Sequence, residues 1–217
     1  MLTLTDIINR TRTVLSDPVS LRFSDELLQE AVSNAMQTLS DRLPREEHID
    51  FIVAISGRNQ ALAGLALPLY LIDIRISILP DDETVLEPDL HFTYRMIDGQ
   101  PVIHFLGELI PQAGQTLQVA YAACQTLSGL DGADTSTLPD GAFTALVNGA
   151  AGHACLLRSH MLLETSGVKP GEVDHLLQLA QLRLDLFEKN LDDLRIYQEF
   201  GFPQGFTLDK WDNHGVF

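Results

Sequence analysis

Basic residues are scarce in this chain. Its 217 residues include 14 lysines and arginines against 30 aspartates and glutamates, a formal net charge of -16 and a pI near 4.6. Phosphate neutralisation dominates affinity for nucleic acid, so this balance argues against sequence-independent DNA or RNA binding. It argues equally against docking on an anionic membrane. Cysteine is nearly absent. Cys124 and Cys155 lie far apart and make no disulfide framework, which fits synthesis in a cytoplasm. The apolar stretch within 61–79 is broken by Pro68, Asp73 and Arg75, short of the ~20 residues that cross a bilayer. The start, MLTLTDIINRTR, lacks the charged-then-apolar order of a signal peptide. No GxxxxGK[ST] loop, strand-linked GxGxxG or G-x-S-x-G elbow occurs.

What is present suits a globular fold. A chain of this length buries roughly 70% of its unfolded surface and needs no disulfide or metal staple. Residues 3–16 place Leu4, Ile7, Ile8, Thr11, Val14 and Leu15 near one helical face, and Asp17-Pro18 ends the helix. Ser24 is a natural N-cap, with Asp25 and Glu26 at the positive end of the next helix dipole. Leu27, Leu28, Ala31, Val32, Ala35, Met36 and Leu39 then form a stripe that runs to Leu43-Pro44.

From residue 50 the texture becomes β-rich. DFIVAIS at 50–56 precedes the turn Gly57-Arg58-Asn59, and 69–79 alternates through Ile72, Ile74, Ile76 and Ile78. Segments 91–97 and 101–106 flank Asp98-Gly99, a pair that favours a type I′ hairpin turn, which Gln100 and Pro101 could lengthen. Thr116–Ala123 supplies a further strand. Residues 125–140 lack periodicity, and loops of that length are usually functional or mobile. A third helix follows Pro139-Asp140 to about Leu163, with Gly149 and Gly152 allowing close backbone approach. The fourth, from Glu172 to about Glu199, turns Leu176, Leu179, Ala180, Arg183, Phe187, Leu191 and Leu194 inward. Further leucines at 177, 182, 184 and 186 widen its apolar surface beyond one neighbour.

The sequence thus predicts an α+β protein: a four-helix bundle formed by the N- and C-terminal segments, an inserted small antiparallel β domain and an extended C-terminal tail. The expected division is 1–48 with 139–199 for the bundle, 50–124 for the β domain, 125–138 for a mobile loop and 200–217 for the tail.

Few side chains look chemical. His153 and His160 are seven apart, two turns along one helix face, where a zinc pair takes i, i+4 spacing. With Cys155 between them they read as packed or surface residues. His91 and His104 are expected to face each other across a hairpin, with no third ligand. Asp81, Asp82, Glu83 and Glu87 make an acidic turn without an EF-hand pattern, and Asp192 and Asp193 read as solvated charge beside Arg195. No metal, cofactor or catalytic group is assigned. The tail is different. Phe200, Phe202, Phe206, Trp211 and Phe217, spaced by Gly and Pro, suit capture by another subunit, with folding back onto the chain's own domain as the alternative.

The ordered pattern resembles the adaptor, or head–tail connector, proteins of tailed bacteriophages. LTDIINRTRTVLSD at 4–17, then Phe23-Ser24-Asp25-Glu26-Leu27-Leu28 opening a helix with Asn34-Ala35, carry the resemblance. Leu67-Pro68, the stretch from Leu71 to Arg75, and Leu138-Pro139-Asp140 continue it. Phe23 stands where the family often has tryptophan, and the aromatic tail exceeds what the family requires.

The resemblance implies a non-enzymatic virion protein at the neck, assembled as a homo-oligomeric ring, usually of twelve, beneath the portal protein. Such a ring extends the DNA channel and gives the tail its docking platform. Leu176, Leu179, Phe187 and Leu191 would pack in the ring, and the five tail aromatics would bind the portal or a neighbouring subunit. DNA would pass without specific binding, since an acidic wall repels it. A tail-completion or neck protein bound to the tail tube is the alternative role. A small enzyme or ligand-binding module with a cleft between helical and β parts is the alternative of another class.

Overall fold

The computed structural model describes residues 2–62, 70–76, 91–98, 100–106, 108, 110–164 and 171–200, with side chains given as far as 196. The chain divides into a helical unit, Met1–Leu43 with Gln125–Phe217, and a β unit, Pro44–Cys124. The acidic turn at 81–87, Leu67-Pro68, Ile78 and the tail from 201 lie outside the described residues, as does the Phe200 side chain.

Four helices make the helical unit: α1 (Leu4–Val14), α2 (Asp25–Arg42), α3 (Ala142–Leu163) and α4 (Glu172–Phe200). Thr3 caps α1 in a capping box, accepting from the Asp6 N–H while the Asp6 carboxylate accepts from Thr3. Those bonds hold the Asp6 carboxyl below its usual range. Ser24 caps α2 through the Leu27 N–H.

The expected four-helix bundle does not form. Along the chain the helices come as two pairs, α1 and α2 before the strands and α3 and α4 after them. α3 packs against α4, α2 and α1, whereas α2 and α4 scarcely meet. Their link is Arg42 to Glu188 at 3.0 Å, half-exposed and worth about 0–1 kcal/mol. The reason lies in α3, where Ala145, Leu146, Val147, Ala150, Ala151 and Ala154 are all buried. A helix apolar all round is covered on every side instead of sharing one seam. The core accordingly splits in two. Ile7, Val32, Leu39, Leu146, Phe187 and Leu191 belong to one cluster, and Leu15, Phe23, Leu28, Ala151, Cys155 and Ala180 to the other. Gly149 and Gly152 permit the α3–α4 approach: a Cβ on Gly152 would stand 2.7 Å from Leu184 Cγ.

The segment 125–138 has no long element but is tied down. Thr126 and Thr137 exchange backbone and side-chain bonds, Ser136 Oγ donates to Leu2 O, and Gln125 Nε2 donates to Leu43 O. Leu127 and Leu130 are buried in the first cluster.

Among the described residues the β unit holds two three-stranded antiparallel sheets. β1 (Arg45–Ile52) and β3 (Tyr70–Ile76) flank β6 (Thr116–Ala123); β2 (Asn59–Ala61) and β4 (Phe92–Ile97) flank β5 (Gln100–Phe105). The first strand begins at Arg45, ahead of the expected 50, with Glu46, His48, Asp50 and Ile52 outward. A register shift between Leu71 and Asp73 leaves Ile72 exposed while Ile74 and Ile76 are buried. Ile97 pairs with Gln100 and Met96 with Pro101, so Gln100 and Pro101 belong to β5 and do not lengthen the turn.

Candidate functional site

The motif that carries the family resemblance folds into a polar node at one end of the helical unit. Arg12, on α1, is 6% exposed. Its Nη1 donates to Phe23 O at 2.8 Å and lies 3.5 Å from the Asp17 carboxylate; its Nη2 meets Asp25. Asp17 is 3% exposed and accepts from the backbone N–H groups of Leu21, Arg22 and Phe23, at 2.9 to 3.2 Å. Burial alone would raise its pKa. The three N–H donors and the Arg12 guanidinium outweigh that and hold the carboxyl below its usual range. The node fixes a short loop in which Ser16 and Ser20 take positive φ of 54° and 58°. Phe23 is buried beneath it and anchors the second core cluster.

That loop displays two apolar side chains to solvent: Val19 is 67% exposed and Leu21 81%. α1 ends, α2 begins, α3 ends and α4 begins at this end of the unit. Met161 and Leu163 near the end of α3, and Leu177 in the second turn of α4, are also exposed, and Leu182 and Leu186 continue along α4. Between α2 and α3 lies a groove of about 450 Å³ lined by Leu27, Leu157 and Met161 together with Ser24, Glu26, Glu30, His160 and Glu164. A second cavity, about 310 Å³ within the β unit, is lined by 51–56, 59–62 and Leu117. Its Gln60 amide is committed to Ile55 O and Gly57 O, so it offers little free polar chemistry.

The residues singled out in the sequence are scattered. Phe187 and Leu191 are spent within the chain's own core, each 1% exposed, and Leu176 and Leu179 are half-buried against the second cluster. Phe202, Phe206, Trp211 and Phe217 lie outside the described residues. His153 is half-buried, and desolvation lowers its pKa, whereas His160 is exposed. Burial pushes the Cys155 thiol up to about 11, against a smaller pull from Arg183. His91 and His104 do not face each other. His104 pairs with Thr93 and Asn59 and its Nδ1 lies 2.6 Å from Asn59 Oδ1, because the hairpin turn sets His91 opposite Leu106. Tyr121 donates to Glu47, and that bond, with burial, raises the phenol pKa. Among the described residues no group of three or more His, Cys, Asp or Glu side chains is placed to hold a metal ion, and no helix is long and apolar enough to cross a membrane.

Sequence reasoning missed Arg12, Val19 and Leu21. Arg12 carried no signal, since its partners become neighbours only when the loop closes. Val19 and Leu21 did carry one: two apolar residues in a short turn, outside any helical period. No family model matches the chain, and no curated protein matches its sequence.

Proposed function

We propose that this chain is a structural subunit of a phage head–tail connector, assembling side by side into a ring under the portal and presenting a platform to the tail. The observation that carries this is the apolar surface left outside the helical unit. Val19, Leu21, Met161, Leu163, Leu177, Leu182 and Leu186 are exposed, although Phe187, Leu191 and the α3 face fill the chain's own core. That many large apolar side chains left exposed on one unit suits contact with another protein. The motif residues Asp17, Phe23, Ser24 and Asp25 support the reading in a second way, because they hold the loop that bears two of those side chains. The net charge of -16 suits the wall of a channel through which DNA slides without adhering. The tail aromatics Phe200, Phe202, Phe206, Trp211 and Phe217 give the ring its grip on the portal, as large anchors do at interface centres.

Removing residues 201–217 tests the assignment. The truncated chain is expected to keep its helical circular dichroism and to lose capture by immobilised cognate portal. Unchanged capture by portal contradicts the role given to the tail. Capture by tail-tube proteins in place of portal contradicts the position under the portal and moves the protein to the tail side of the neck.

A further inference from the structure

We infer that the α1–α2 loop of one copy seats Val19 and Leu21 in the α2–α3 groove of the next, with Arg22 against the carboxylates of Glu26, Glu30 and Glu164. This deepens the connector reading by naming the contact between neighbouring subunits, and it rests on that reading.

Shape and charge agree on the occupant. The groove's described lining holds three large apolar side chains and three carboxylates, with no lysine or arginine. It calls for an apolar side chain next to a cation. Pro18-Val19-Ser20-Leu21-Arg22 is such a segment, and all five residues are exposed. The loop is also pre-organised. Three of its backbone N–H groups are held by the buried Asp17 carboxylate, so little ordering entropy remains to be lost on docking.

Asp25 and Leu27 lie on opposite flanks of α2, while the loop itself runs to within two residues of Ser24, which lines the groove. At about 100° per residue, Asp25, which meets Arg12 of α1, falls about 70° to one side of the stripe Leu28, Ala31, Val32 and Ala35. Leu27 falls about 90° to the other side, with Glu30 beyond it, on the flank that forms the groove. A contact between two different patches of the chain is heterologous, and such contacts propagate into rings when the rotation closes.

Cysteine cross-linking of the full chain tests this contact. In a Cys124→Ser background, which removes the exposed thiol and leaves the buried Cys155, Leu21→Cys and Met161→Cys are combined. At about 1 mM chain, where even a contact with a Kd of about 1 mM is substantially formed, oxidation is expected to give a ladder of dimers, trimers and larger covalent species. A control with Gln29→Cys in place of Met161→Cys should cross-link at least about tenfold more slowly, since proximity sets the rate. Mixing chains that each carry a single substitution should give dimers and nothing larger. Absence of a ladder, equal rates for both pairs, or dimers joined only through Leu21→Cys to Leu21→Cys overturns the contact. The connector reading fails separately. A chain that binds portal without forming the ladder removes the contact and keeps that reading, whereas a ladder from a chain that ignores portal does the reverse.

Discussion

Asp17→Asn probes the node that organises the apolar end of the helical unit. The substitution keeps the side chain's shape, removes its charge and turns one acceptor into a donor. Leu21 and Arg22 sit in an exposed loop, so their N–H groups can recover a bond from water. The Phe23 N–H cannot, because Phe23 is 2% exposed. Arg12, 6% exposed, keeps Phe23 O and Asp25 but loses a carboxylate 3.5 Å away. A hydrogen bond to a charged group contributes about 1.5–3 kcal/mol, and stranding a buried charge costs more. The expected loss is therefore about 2–4 kcal/mol, the upper end being held down by Asp25, which stays in place. At roughly 2–4 °C per kcal/mol for a chain of this size, the helical unit should melt about 4–16 °C lower, read by circular dichroism at 222 nm. The pH dependence adds a second signature. Because the folded pKa lies below the ordinary 3.8, the carboxylate's stabilisation is full above that value and fades as pH falls through the folded one. The natural chain should lose stability across that acid window more steeply than Asp17→Asn. A loss under about 1 kcal/mol, or parallel acid profiles, would refute the node as what fixes the loop.

Other substitutions separate core from surface. Phe187→Ala should cost about 3–5 kcal/mol in urea unfolding, since the ring is fully buried. Leu182→Asp, at a half-exposed site, should move stability by no more than about 0.5 kcal/mol. Gly152→Ala should destabilise in thermal melts. The new Cβ would stand 2.7 Å from Leu184 Cγ and 3.2 Å from the Leu184 backbone nitrogen. Such overpacking costs about 1–3 kcal/mol against the ~1 kcal/mol that alanine gains over glycine in a helix; a raised melting temperature would show Leu184 turning aside. In the native chain at pH 8, a thiol reagent should modify Cys124 quickly and leave Cys155, with its pKa near 11, unmodified until unfolding. Two equally fast thiols would contradict that burial.

Much of the local structure was legible in the sequence. The stripe from Leu27 to Leu39, with Ser24 before it, marks α2 because both signals are local. Packing was not. Periodicity says which face of α3 is apolar but not which helices cover it, and its all-round burial turned an expected bundle into an α3-centred arrangement. Glu46, His48 and Asp50 hid the start of β1 because its outward face is polar. The bulge after Leu71 could not be read from the even spacing of Ile72, Ile74 and Ile76, since register is set by the partner strand. The order in 125–138 comes from Thr126, Ser136 and Thr137 bonding to backbone across the loop, which leaves no periodic trace. Of the candidate site, the motif at Asp17 and Phe23–Asp25 was visible, while the apolar pair it holds was passed over as loop.

The most direct test is the mass of the chain with its cognate portal, measured by light scattering. The chain alone is 24.0 kDa. The account predicts a complex that gains one chain for each portal subunit, and that gain disappears on removal of residues 201–217. A mixture in which portal and chain keep their separate masses would contradict it.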